Sequence, residues 1–198
     1  MKIAFLSGSF DPPHIGHLIL PCIAIEKFDI DLFLYIPSKI AVNKDHHFAE
    51  ASDRYNMLQL MISDNPMLMI DNFEISQDSK IYTFETINYL KRKYSTNSTN
   101  LMLCIGSDWI DSLDKWQNFD FIKDNVSFII FLRPPCIDDI DKKIKSLGID
   151  QDNYHILDNL IDISSSNIRT LIAEGKPFSH FLPKPVYDYI MKNSLYLV

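Results

Sequence analysis

Short apolar runs alternate with longer stretches of helical spacing along most of the chain. Residues 3–6 form an apolar run ending in Ser7-Gly8-Ser9, which predicts a buried strand entering a loop. Pro12-Pro13 keeps that loop extended. From His14 onward, Leu18, Ile19, Cys22, Ile23 and Ile25 suit a buried helix. Residues 31–37 (DLFLYIP) predict a second strand and 67–73 a third, while Tyr55, Leu58 and Met61 place a helix over 52–61. A helix is predicted over 83–94, closing on the basic run Lys91-Arg92-Lys93, and strands over 101–105 and 126–132, the latter stopped by Pro134-Pro135. A helix over 137–147 with Gly148 as its stop, a strand over 154–157 and helices over 166–173 and 186–192 complete the pattern. Asp138, Asp139 and Asp141 read as solvated carboxylates at a helix start, where the dipole favours them.

Strands alternating with helices predict an α/β protein, with a doubly wound parallel sheet covered by helices on both faces. In such sheets ligands bind beyond the carboxyl ends of the strands, where strand order reverses. One domain over 1–198 is expected, with a small C-terminal helical part from about 163. A chain of 198 residues can bury roughly 70% of its unfolded surface and needs no covalent staples.

Composition narrows the partners. Hydrophobic residues make up 46% and charged residues 23%, a globular balance. The formal net charge of -7 argues against a general nucleic-acid binder, which would show a basic face, but leaves room for a local phosphate site. Cys22, Cys104 and Cys136 are odd in number, far apart and in apolar surroundings, so they predict buried thiols in a reducing, cytoplasmic compartment rather than disulfides or a zinc site. The run 15–25 is interrupted by His17 and Pro21 and is too short to span a bilayer. Oligomeric state is left open, a homo-oligomer included.

The strongest chemical signal is Gly8-Ser9-Phe10-Asp11-Pro12-Pro13-His14-Ile15-Gly16-His17, placed where the first strand feeds the first helix. Gly8 allows close backbone approach to a ligand. His14 and His17, three apart at a helix start, can share one face and point with the helix amides at a phosphate. A zinc site at these two histidines lacks a third ligand at metal spacing. Near the other end, Ile163-Ser164-Ser165-Ser166-Asn167-Ile168-Arg169 offers serine hydroxyls and a permanent charge at another helix start.

Together these two phrases resemble the signatures of the adenylyl- and cytidylyl-transferases. Over about residues 2–196 the chain is similar to the bacterial nicotinate-nucleotide adenylyltransferases: Tyr82-Thr83-Phe84-Glu85-Thr86, Gly106-Ser107-Asp108, Lys115-Trp116, Leu182-Pro183 through Val186, Tyr189-Ile190 and Leu195-Tyr196 all match stretches of that family. The resemblance implies a Rossmann-like fold and adenylyl transfer from ATP, with Mg²⁺, to nicotinic acid mononucleotide. It assigns ATP to Gly8, Ser9, Phe10, His14, Gly16, His17, Gly106, Asp108, Ser164, Ser165, Ser166 and Arg169. It assigns the mononucleotide to Lys44, Tyr82, Thr83, Thr86, Asp108 and Trp116, whose indole lies over the pyridine. His14, His17, Lys44 and Arg169 carry the catalytic charge and donors. Two positions depart from the family: Ser7 replaces the first glycine of a Gly-Gly pair, and Asn43 replaces a histidine before Lys44, with His46 and His47 close by. Rival readings are a phosphopantetheine or dual-substrate adenylyltransferase, and a nucleotide-binding sensor that has lost catalysis.

Overall fold

Continuous apolar runs bounded by Gly, Pro and Asp form strands buried on both faces, and among the described residues every strand pairing is parallel. The computed structural model describes residues 1–40, 47–95, 100–134 and 139–197. Its strands are β1 (Ile3–Gly8), β2 (Leu32–Pro37), β3 (Leu68–Ile70), β4 (Leu101–Gly106), β5 (Ser127–Phe131) and β6 (Tyr154–Leu157). They form one parallel sheet in the order β3-β2-β1-β4-β5-β6. Strand order reverses between β1 and β4, which opens a crevice beyond Gly8 and Gly106.

The helices are α1 (Ile15–Phe28), α2 (Ala51–Ile62), α3 (Thr83–Tyr94), α4 (Phe119–Asn125), α5 (Ile140–Ser146), α6 (Ser165–Ala173) and α7 (Lys184–Lys192). Alternate strand residues divide them between two faces. Ala4, Phe33, Tyr35, Met102, Cys104 and Ile129 face a core completed by α1, α2, α6 and α7. Phe5, Leu34, Ile36, Leu103, Ile105 and Phe128 face the opposite core, under α3, α4 and α5. The doubly wound sheet read from the sequence is therefore present. The C-terminal helices α6 and α7 close one layer of it.

Several elements depart from their predicted bounds. β3 stops at Ile70 because the chain turns at Asp71, which accepts from Phe73 N at 3.0 Å and pairs with Lys93 at 2.9 Å. A 3-10 segment, Ser107–Lys115, and α4 occupy a region for which no element was predicted. In α2 the buried stripe keeps the expected Leu58 and Met61 and adds Arg54, Met57 and Ile62, while Tyr55 is only half-buried. Cys104 is buried but Cys22, midway along α1, is only half-buried, and Cys136 lies outside the described residues. No described helix is long and apolar enough to cross a membrane.

Pro21 stands inside α1, where it cannot donate to the carbonyl of His17 four residues back. The Tyr35 hydroxyl on β2 donates to that carbonyl instead, at 2.6 Å. The first helix is thereby tied to the sheet at one of its two histidines.

Candidate active site

At the carboxyl end of β1 the chain turns sharply. Phe10 adopts φ 49°, the Asp11–Pro12 bond is cis, and α1 begins directly after His14. His14 stands at the N-cap, and its N–H donates to His17 Nδ1 at 3.2 Å. The two imidazoles stack with centroids 3.7 Å apart at 23°, and the Phe10 ring meets His17 edge-on at 5.1 Å. Gly16 makes room for this stack, because a Cβ there would stand 3.1 Å from the His14 ring and 3.3 Å from Ile161. His14 is only 2% exposed, and its Nδ1 has no hydrogen-bond partner among the described residues. Burial, followed by the nearby Arg133 charge, pushes its pKa down to about 3, so the ring is neutral near pH 7.

These groups open onto a cavity of about 610 Å³. Its wall includes Gly8, Ser9, Phe10, Gly16 and Ser164 to Ser166, together with Glu74, Tyr82, Thr83, Trp109 and Trp116. Gly106 and Asp108 line it at the end of β4. A Cβ on Gly106 would fall 2.1 Å from Asp108 Oδ1, so the close approach of that carboxylate requires glycine. Trp116 is half-buried and meets Trp109 edge-on, with centroids 5.5 Å apart.

Not every residue singled out from the sequence stands on that wall. Thr86 is fully buried and donates to Glu74 Oε1 at 2.7 Å. Arg169 lies beside the cavity: it donates to the Asp11 carbonyl at 2.6 Å and to Ser166 Oγ at 3.2 Å, and stacks over Phe48 at 4.1 Å. Ser164 caps α6 by accepting from Asn167 N at 3.1 Å, and Ser165 donates to the Pro12 carbonyl at 2.8 Å. The second signature is thus stitched onto the first. Asn43, Lys44 and His46 lie outside the described residues.

Sequence reasoning passed over the residues that brace this arrangement. Asp11 is 2% exposed and accepts three bonds: Phe48 N at 2.8 Å, Ala49 N at 3.1 Å and the Tyr196 hydroxyl at 2.8 Å. Arg54 is fully buried and donates to the Ser9 and Ala49 carbonyls at 2.7 and 3.3 Å. Neither shows itself in the sequence, since a buried ion looks there like any surface charge. Arg133, also on the cavity wall, did leave a signal: it follows directly on a strand at its carboxyl end, and its N–H donates to Ser107 Oγ at 2.9 Å.

A parallel sheet in this order, with helix-start histidines and serines gathered over its switch point, defines a doubly wound α/β protein of the nucleotide-binding kind. The chain belongs to the cytidylyltransferase-like family, whose model matches residues 5–171. It is similar to a "Probable nicotinate-nucleotide adenylyltransferase" of Caldicellulosiruptor saccharolyticus, 32% identical over 198 residues and covering 99% of each chain. It is also similar to a protein of the same name from Clostridium botulinum, 34% identical over 202 residues and covering 98% of each. Among solved structures, Plasmodium falciparum nicotinic acid mononucleotide adenylyltransferase complexed with NaAD matches with a TM-score of 0.82 at 20% identity, over 98% of this chain and 97% of that one. That last likeness is one of fold.

Proposed function

We propose that this chain transfers the adenylyl group of ATP to nicotinic acid mononucleotide, releasing pyrophosphate and forming nicotinic acid adenine dinucleotide on the cytoplasmic route to NAD. One observation carries the reading: the stacked His14–His17 pair at the start of α1 opens onto the same cavity as Tyr82-Thr83 and Trp116. Phosphate chemistry and an aromatic platform for a pyridine ring are thereby within reach of one ligand. Full-length relatives bearing the name of this activity support it.

The mononucleotide 5′-phosphate attacks the α-phosphorus of ATP, and the protein's task is positioning and charge stabilisation. His14 is held neutral, so it serves as a hydrogen-bond donor through one ring N–H rather than as a cation. His17, with the amides at the start of α1, donates to oxygens on which charge builds. Ser164, Ser165, Ser166 and Arg169 hold the β/γ end, and Lys44 neutralises the transferring phosphates. Gly8, Ser9, Phe10, Gly16, Gly106 and Asp108 shape the nucleotide side. Among the described residues no three His, Cys, Asp or Glu side chains converge on a metal-sized space, so Mg²⁺ suits the phosphates themselves, held through water. Bound there, it would neutralise charge on the phosphates. Trp116 stacks on the pyridine, and Thr83, first in α3, presents a helix-start N–H to the ring's carboxylate.

The test is pyrophosphate release with ATP, Mg²⁺ and each mononucleotide in turn. The acid form should be preferred by about a hundredfold in kcat/KM, because an amide would turn N–H groups toward donors. Trp116→Ala should weaken both substrates alike. Equal efficiency would refute acid selectivity, and turnover of neither would overturn the function.

A further inference from the structure

The mononucleotide end of the cavity contains a carboxylate that the mechanism does not use. Glu74 lies in the turn after β3, is 6% exposed and lines the cavity near Ile81, Tyr82 and Thr83. Its Oε1 accepts from both the Ser7 hydroxyl of β1, at 2.9 Å, and the Thr86 hydroxyl of α3, at 2.7 Å. Its Oε2 has no hydrogen-bond partner among the described residues. The charged groups that bear on it are Asp71, at the exit of β3, and Glu85, in the first turn of α3; both are acidic, and Asp71 is already paired with Lys93. Ser7 and Thr86, the partners on the other packed elements, are neutral. A pocket for a doubly anionic substrate is thus bordered by a buried carboxylate, and the charged residues that bear on it, among those described, are both acidic.

We propose that Glu74 is a specificity-determining residue of the mononucleotide pocket: it takes up a proton as the pyridine carboxylate enters, and Ser7 sets how readily it does so. This rests on the function proposed above. Two carboxylates in one poorly solvated site cannot both stay ionised cheaply. The proton comes from water and adds to the Glu74 carboxylate, turning it from a repelling anion into a neutral donor. The amide form of the substrate keeps the pyridinium charge but brings no carboxylate, and needs no such proton. The group is poised for this, since burial pushes the Glu74 carboxyl up to about 7 while the Thr86 and Ser7 hydroxyls pull it back by donating to the ionised form. At the position of the family's glycine, Ser7 therefore acts on the charge of the substrate pocket, 67 residues away in sequence.

The test is titration calorimetry of nicotinic acid mononucleotide and nicotinamide mononucleotide into the full chain at about pH 7.5, in buffers of different ionisation enthalpy. The phosphate and the pyridinium are common to both ligands, so the difference between them isolates the ring carboxylate. A carboxyl titrating near 7 is about three-quarters ionised there, so the acid form should take up roughly 0.7 proton more than the amide form. Glu74→Gln should abolish that excess and flatten the acid-to-amide kcat/KM ratio between about pH 6 and pH 8.5, which in the wild type should fall about tenfold or more with rising pH. Ser7→Ala should shrink the excess by leaving Glu74 more protonated before binding; it keeps the assignment testable if the Gln variant does not fold. An excess that persists in Glu74→Gln, or no change in Ser7→Ala, overturns the proposal. Turnover by the wild type with no excess uptake overturns Glu74 alone, whereas failure to bind or turn over either mononucleotide overturns the function as well.

Discussion

Asp11→Asn changes one atom in a buried carboxylate and should unsettle both phosphate signatures. The carboxylate offers two acceptor oxygens: Oδ1 takes the Ala49 N–H and the Tyr196 hydroxyl, and Oδ2 takes the Phe48 N–H at 2.8 Å. A carboxamide has one acceptor. Its better orientation keeps the oxygen on Ala49 and Tyr196 and turns an NH₂ toward Phe48 N–H, donor against donor. Losing a bond to a charged group costs about 1.5–3 kcal/mol, and the two surviving bonds weaken to neutral strength. Part of the penalty is recovered, because Phe48 is 59% exposed and its N–H can turn to water. Fully buried Arg54 also loses a carboxylate whose charge favours its ionised form. The sum is about 2–4 kcal/mol, and at roughly 2–4 °C per kcal/mol for a chain of this size Tm should fall by about 5–15 °C. Tyr196→Phe removes one of the same bonds and should cost less, about 1–2 kcal/mol. The two share an interaction, so the double variant should be less destabilised than the sum. Thermal and urea unfolding of the four proteins measures this. An Asn variant within about 1 °C of wild type, or strict additivity, would show that Asp11 is not the brace described here.

Three further outcomes are expected. His17→Ala should lower kcat by about a hundredfold or more while ATP binding changes less, since it removes a donor to developing charge; near wild-type kcat in steady-state assays would refute the role. Gly16→Ala pushes a methyl to 3.1 Å from the His14 ring, so kcat should drop by about tenfold or more with the fold intact by circular dichroism, and an unaltered kcat would mean that the stack is dispensable. Folding raises the Glu74 carboxyl from its ordinary 4.5 to about 7, so the stability it contributes is complete below about pH 4.5 and lost as pH rises through about 7. Glu74→Gln should therefore gain on wild type between about pH 5 and pH 8, by at most on the order of 3 kcal/mol; parallel urea-derived profiles would contradict it.

What the sequence made legible follows from which forces are local. Strand runs such as 101–105 are written in contiguous apolar residues, and His14, Gly16 and His17 are neighbours whose spacing survives folding. Residues 107–125 were opaque because Trp109, Trp116 and Phe119 break the periodicity of a short 3-10 segment and a seven-residue helix. Arg54 was invisible for another reason: it fills a core position of α2 that periodicity assigned to its neighbour Tyr55, and only the Ser9 carbonyl, 45 residues away, makes its burial tolerable. Glu74 and Asp11 likewise owe their character to partners brought by other strands and by the tail. The serines of the second signature were found, but all three of their hydroxyls proved to be engaged by the protein itself.

The bond between Asp11 and Tyr196 spans 185 residues, and Arg169 and Ser165 reach back to the same loop from 158 and 153 residues away. The loop after β1 is thus encoded more than 150 residues before the side chains that support it. A chain that stops near residue 160 includes all six described strands, yet lacks α6, α7 and every one of those three contacts. Truncation at that point should therefore leave the strands encoded while removing the three contacts that brace the loop after β1.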